Sequence, residues 1–339
     1  MSLLHWFHDQ LIGFFGIGAW LTMFQTGNYS SLRTLAGFEG ALAPLIPLLL
    51  VIECGRAFLH KRLKLEHYKV PFFTLFFNMV VGTFISIGVT AFCIGHLQPY
   101  ALLKTRFTWY WFIYGYIIWE LSHWVYHYLG HKVRLFWCLH STHHTPTGMN
   151  LSVTYTHFFL EGAYADFIRT SLCILLGVNP PLLFLIVFID STWGSFIHVG
   201  ENLIKDARLG FLQRIILTPS HHRVHHGRNP LYMDTNFCNL LNIWDRVLGT
   251  YQPESREFPI EYGITREMNP NSFTDAYFGE FIALWKDLRK APGIKNKLLY
   301  IVMPPGWNHL PGESKTAAKV RGEYLQSLSI SEDYTIGEE

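Results

Sequence analysis

Apolar residues in this chain gather into runs long enough to cross a bilayer rather than into the short alternating pattern of strands. A membrane-crossing helix needs about 20 mostly apolar residues. Residues 70–95 form the cleanest such run, with no charged residue after Lys69 at its entry and with small Gly, Ser and Thr positions suited to helix packing in lipid. Residues 40–58 form a second, kinked near its entry by Pro44 and Pro47 and obliging Glu53 to face protein or a polar end. Residues 107–128 form a third, whose Trp and Tyr suit the interfacial belts. Residues 164–178 and 182–197 read as a helical hairpin with its turn set by Asn179-Pro180-Pro181. The run at 11–24 is shorter and either spans or lies in the interface; no basic segment with a cleavage site accompanies it, so no cleaved signal peptide is expected.

Charge orients these crossings. The loop carrying Arg56, Lys61, Arg62, Lys64 and Lys69 is placed in the cytoplasm by the positive-inside rule. The chain then goes out by residue 95, returns by residue 128 and makes a second excursion through the hairpin. That path delivers the histidine-bearing stretches 123–157, His198 and 221–226 to one membrane face. Beyond Pro253 the composition turns charged and polar, with turns at Met268-Asn269-Pro270-Asn271-Ser272 and Met303-Pro304-Pro305-Gly306-Trp307. Here Phe281, Ile282, Leu284, Trp285 and Leu288 recur at helical spacing as a docking stripe, while roughly the last twenty residues read as a loose tail.

Composition sharpens the picture by exclusion. Hydrophobic residues make up 50% of the 339 and charged ones only 15%, against about a quarter charged in soluble proteins, which argues against a water-soluble enzyme. A formal net charge of +2 lacks the concentrated basic surface that nucleic acid requires, so no nucleic-acid partner is expected. The scattered cysteines Cys54, Cys93, Cys138, Cys173 and Cys238 offer neither a disulfide framework nor a CxxC knuckle and read as buried small hydrophobes.

The 18 histidines are where chemistry concentrates. Read as helix, His127 and His131 lie one turn apart on one face, as two ligands of one metal require, with His123 a turn earlier. His140, His143 and His144 stand at i, i+3 and i+4, and His222, His225 and His226 repeat that HxxHH pattern. Neutral imidazole suits iron, copper or zinc, and with His198 these nine rings are too many for one ion and suit two. His5, His8, His60, His67, His96 and His309 read instead as hydrogen-bonded interfacial residues, and His123, His157 and His221 either as further ligands or as residues that position ligands, pack or cap.

The order HxxxH, HxxHH, a lone His after a proline-turned hairpin, then HxxHH within residues 218–227 resembles the fatty acid hydroxylase and sterol desaturase superfamily. The stretches Arg228-Asn229-Pro230, Asp234-Thr235-Asn236-Phe237 and Trp244-Asp245-Arg246-Val247-Leu248-Gly249-Thr250 are most similar to its alkylglycerol monooxygenase branch and bacterial relatives. The likeness covers roughly residues 40 to 310. It departs at Glu120, where Asp is usual, at Tyr128, where Arg is frequent, and at Lys132, where that branch tends to carry Glu. The resemblance implies a non-haem di-iron centre that takes O2 and two electrons to attack an unactivated lipid C–H bond. Hydroxylation beside an ether oxygen gives a hemiacetal that falls apart, cleaving the ether; at an ordinary methylene it gives an alcohol, and a second hydrogen abstraction gives a desaturase.

Carboxylates are then expected to orient the ligand rings, with Glu120 and Asp245 preferred as catalytic residues over Asp190, Glu201 and Asp234. The electron donor is external, a reduced pterin, ferredoxin or cytochrome, since neither a GxGxxG loop nor a haem module is present. Rival readings are a sterol or fatty-acyl hydroxylase or desaturase of the same superfamily and a histidine-lined metal transporter, the latter expected to string imidazoles along a mid-bilayer path. A haem protein has no use for two HxxHH clusters, and a metallohydrolase would need the HExxH that is absent. The expected fold is an all-α, multi-pass transmembrane helical bundle with a cytoplasm-facing, histidine-rich di-metal catalytic region. It divides into an N-terminal membrane or interfacial segment (1–39), a transmembrane catalytic domain (40–252) and a cytoplasmic extension (253–339). The host membrane is a bacterial inner membrane or the endoplasmic reticulum.

Overall fold

A computed structural model describes residues 3–81 and 83–330. The chain is all-α: among the described residues only two isolated bridges occur, Ile216 with Leu241 and Gly227 with Tyr262. The N-terminal part comprises α1 (Leu3–Phe15), α2 (Gly18–Thr26), α3 (Leu35–Leu42) and α4 (Leu45–Leu59). Then follow α5 (Glu66–Val81), α6 (Thr83–Leu97), the long α7 (Trp109–Lys132) and α8 (Arg134–His144). The hairpin is α9 (Glu161–Leu175) and α10 (Pro180–Phe196), followed by the short α11 (Pro219–His225) and α12 (Ile243–Val247). The extension contributes α13 (Phe273–Lys290), α14 (Gly293–Val302) and α15 (Ala317–Ile330).

Three sequence expectations change here. The run at 11–24 is two helices rather than one, broken at Gly16, whose φ of 63° a side-chain-bearing residue adopts reluctantly and whose Cα packs against Ala43. The run at 70–95 is occupied by α5 and α6 on either side of residue 82, which lies outside the described residues. Much of the expected tail is helical: α15 reaches Ile330, and residues 331–339 lie outside the described set. Among the described residues one helical stretch, Ala36–Leu59, is long and apolar enough to cross a membrane, with a mean hydropathy of 1.8. It contains the predicted run at 40–58, and its Glu53 is fully buried, accepting the backbone N–H of Leu151 (2.7 Å) and Gly200 (2.6 Å).

The main core lies where α9 and α10 pack on α7: Tyr116, Trp119, Cys173, Ile174, Val178, Leu182, Leu183 and Ile186 bury together. Gly115 permits this approach, because a Cβ there would stand 2.9 Å from the Ile186 methyl. The extension is not a detached appendage. Leu284, Ala291 and Tyr300 bury with Cys138 of α8, and Phe281, Leu288 and Trp307 pack on that cluster, so α13 and α14 brace the helix that carries three candidate ligands.

Candidate metal centre

Helix α7 presents His127 and His131 one turn apart at its end; Val133, extended at φ −118° and ψ 119°, then reverses the chain so that α8 returns across them. His140 passes over Gly130, where a Cβ would touch its ring at 3.5 Å. Opposite stands α11, started by a capping box in which Thr218 and His221 satisfy each other, and held from outside by buried Arg223, which donates to the carbonyls of Val199, Ile204 and Lys205.

The result is two adjacent clusters of buried imidazoles. His127, His131, His140, His144 and His225 form one; His143, His198, His222 and His226 form the other; within each, the ligating nitrogens lie within 4.8 Å of one another. The eight histidines singled out by spacing and the lone His198 are gathered, and the two HxxHH motifs are shared crosswise. Helix α8 gives its first and third histidines to the five-membered cluster and its middle one to the four-membered cluster. The motif of α11 does the reverse.

Hydrogen bonds fix which ring nitrogens are free. The Nδ1–H groups of His127, His225, His143 and His198 donate to the carbonyls of Phe237 (2.9 Å), Thr235 (2.8 Å), Thr156 (3.3 Å) and Gly194 (2.6 Å). Those of His140 and His131 reach Glu161 (2.5 Å) and Asp234 (3.3 Å). Each such bond leaves Nε2 with a bare lone pair pointing inward. His127 faces His140 at 3.1 Å between Nε2 atoms, and His143 faces His198 at the same distance. The Nε2 atoms of His131 and His225 are buried with no hydrogen-bond partner at all.

Lone pairs opposed at that range repel unless a cation sits between them. A proton fits poorly in the four-membered cluster, because burial drives His143 well below the usual imidazole range and His198 down to about 3. Burial likewise brings His131 to about 4, against the pull of Asp234. These sets of neutral nitrogen donors fit divalent transition-metal ions.

The carboxylate roles differ from expectation. Glu120 and Asp245 touch no ring of either cluster. Glu120 accepts the backbone N–H groups of Asn239 (3.1 Å), Leu240 (2.8 Å) and Leu241 (2.8 Å), whereas Asp245 takes those of Phe237 (2.7 Å) and Cys238 (2.9 Å) and the Thr250 hydroxyl. They pin the 237–241 segment whose first carbonyl receives His127, one step removed from orienting a ring directly. Asp234 does reach a cluster ring, that of His131, and Lys132 pairs with it. Its carboxyl would be raised by burial, but His131 and Lys132 outweigh that and hold it below the usual range. Asp190 lies 3.7 Å from His123, and Glu201 is exposed.

Sequence reasoning missed Glu161. Wholly buried at the start of α9, it binds His140, His157 (2.8 Å) and the Tyr126 hydroxyl (3.1 Å). Its one visible cue was the i, i+4 spacing from His157. His123, His157 and His221 stay outside both clusters: His157 stacks on His143 with ring centroids 4.3 Å apart, and His221 caps α11 and meets Tyr251.

Two cavities flank the clusters. One of about 550 Å³ is bordered by His127, His140, His143, His198 and His222, and its walls include Leu75, Tyr155, Phe158, Phe159, Ala165 and Val187. The other, about 520 Å³, meets His131, His144 and His225 and carries Arg134, Arg228, Arg266 and Lys315 together with Asp234 and Glu280, with residues 263–266 and 304–306 of the extension in its wall.

Replacing Asp245 by Asn should test the pinning role. An amide keeps one acceptor oxygen and turns an N–H₂ toward backbone donors, so thermal unfolding in detergent should show a loss of about 1–3 kcal/mol. Metal bound at saturation should stay near wild type. Loss of metal with undiminished stability would instead make Asp245 a direct participant.

Comparison with known proteins adds the following. Residues 112–250 match a family model described as fatty acid hydroxylase. The chain is 32% identical over 197 residues to an alkylglycerol monooxygenase of Xenopus tropicalis, covering 58% of this chain and 42% of that protein. It is 31% identical over 215 residues to an alkylglycerol monooxygenase of Homo sapiens, covering 63% and 43%. It is 28% identical over 151 residues to the ornithine lipid hydroxylase OlsE of Rhizobium tropici, covering 44% of each. The chain thus spans less than half the length of these relatives. No solved structure matches it.

Proposed function

From a chain whose residues 112–250 match the fatty acid hydroxylase family, we propose an O2-dependent, non-haem di-iron membrane oxygenase that hydroxylates an unactivated C–H bond of a lipid. The observation that carries this reading is the pair of buried histidine clusters with inward Nε2 lone pairs, bordered by a cavity with aromatic and aliphatic walls. Two irons, when bound, supply reductive activation of O2 and insertion of oxygen into a bond no side chain can attack.

The chain's own residues do the rest. Neutral imidazoles leave most of the metal charge uncompensated, and the buried carboxylates Glu161 and Asp234 answer it through His140 and His131. Leu75, Phe158, Phe159 and Val187 give an alkyl chain an apolar stretch beside the clusters, in a cavity that also carries Asn78, Arg169 and Asp190. The cation-bearing cavity on the other side offers a water-soluble reductant an approach to His131, His144 and His225.

Membrane embedding over several crossings, with the clusters on the cytoplasmic face, is part of the proposal. It is supported by large apolar side chains left exposed along α5, α6, α9 and α10, among them Phe73, Phe76, Ile87, Phe92, Phe167 and Phe184. Among lipids, an alkylglycerol-type ether is the first substrate to test, because hydroxylation beside the ether oxygen would release the alkyl chain. Sterols and acyl lipids follow. A metal transporter would string its imidazoles along a path, whereas these converge on two points.

The test is metal analysis and an absorption spectrum of detergent-purified protein, then O2 uptake with reductant and each lipid class. About two irons per chain, no Soret band and lipid-dependent uptake are expected. Iron-loaded protein that consumes no O2 with any donor and lipid would overturn the oxygenase.

A further inference from the structure

The outer face of the extension lies beyond residues 112–250 and takes no part in the chemistry above. Its helical stripe divides in two. Phe281, Leu284 and Leu288 turn inward onto the Cys138 cluster, whereas Ile282 and Trp285 turn outward beside Lys286 and Arg289. On α14, Ile294, Leu298 and Val302 stand at i, i+4 and i+8, and helical rotation sets Lys295 and Lys297 on the two flanks of that row. Trp285 is 63% exposed, Ile294 72%, Leu298 55% and Val302 54%, far more than packing within the chain requires.

The charge is one-sided. Residues 285–302 contain Lys286, Arg289, Lys290, Lys295 and Lys297 but a single acid, Asp287, which lies 3.9 Å from Arg134. The first turn of α13, three turns before Trp285, meets the apolar surface read above as lipid-facing: Phe273 contacts Phe73 and Phe77 of α5, and Phe73 and Phe76 are themselves exposed.

An exposed apolar row with an aromatic and flanking lysines, on a helix pair whose first turn meets a lipid-facing surface, has the pattern of a helix that lies in a headgroup layer. We infer that α13 and α14 rest their outer face on an anionic lipid surface. Trp285, Ile294 and Leu298 enter the headgroup region, and the lysines reach past them to lipid phosphates. The extension is then held from both sides, by α8 within and by lipid without.

The experiment uses the full chain, iron-loaded and reconstituted in bilayer discs with and without phosphatidylserine. An environment-sensitive fluorophore is attached at Leu298→Cys and, as a reference, at Phe184→Cys on α10; the native cysteines are buried or half-buried. Nitroxides on the lipid chains should quench both labels, and at Leu298 more strongly when phosphatidylserine is present. Lys295→Gln with Lys297→Gln should lower the docking equilibrium about 30-fold, the equivalent of about 1 kcal/mol for each cation. Aqueous iodide quenching the Leu298 label while Phe184 stays lipid-quenched would overturn the inference and leave the membrane reading intact. Disulfide-linked dimers through Leu298→Cys would also overturn it, assigning the face to a second copy. Absence of lipid quenching at both positions would overturn the inference and the membrane reading together.

Discussion

Replacing His143 or His225 by alanine is expected to abolish turnover while the protein still inserts and folds. The two residues sit in different clusters, His143 among four rings and His225 among five, so each substitution opens one cluster and spares the other's composition. Altering an outer partner of a metal ligand typically costs about 10–100-fold in metal affinity or activity. Loss of the ligating nitrogen itself should exceed the upper end of that range. Turnover and iron per chain are the readouts, with membrane extraction and helicity as controls. Wild-type turnover in either variant would remove that residue from the ligand set.

The second large effect is expected at Glu161. Burial alone would raise its carboxyl, but His157 and His140 outweigh that and draw it to about 2, so it stands ionised between the two rings. Its oxygens receive His140, His157 and Tyr126. In Glu161→Gln the charge is lost, and the new N–H₂ faces a ring nitrogen that is itself a donor. One of the two imidazoles must then turn over or lose its partner. Iron retention under a chelator and turnover should each fall about 10–100-fold. His157→Ala, which removes only the outer of the two rings, should cost less. Equal losses in both variants would mean that His157 carries the effect.

What the sequence made legible was what helix geometry controls. Spacings of three and four residues put His127 with His131, and each HxxHH trio, on single helix faces whatever the surrounding fold, and all nine rings do converge. Their division into five and four was not legible, because it depends on the angle at which α8 and α11 approach each other. The carboxylates were misread for a related reason. Glu120 attracts notice by standing seven residues before His127 and Asp245 by its place in the Trp244–Thr250 stretch, yet a carboxylate goes to whichever donors face it, and theirs are the amides of residues 237–241. Glu161 reaches His140 from the next element and belongs to no recognisable motif. The polar composition around α15 hid a helix, since it lacks the apolar stripe by which a helix shows itself.

The crosswise sharing of the two HxxHH motifs has a consequence for assembly. Because α8 and α11 each serve both clusters, an ion seated in one cluster would bear on helices that also carry rings of the other. If two irons bind as proposed, their loading is expected to be cooperative, with few half-filled molecules at substoichiometric iron, and a lesion in either motif is expected to reach both sites.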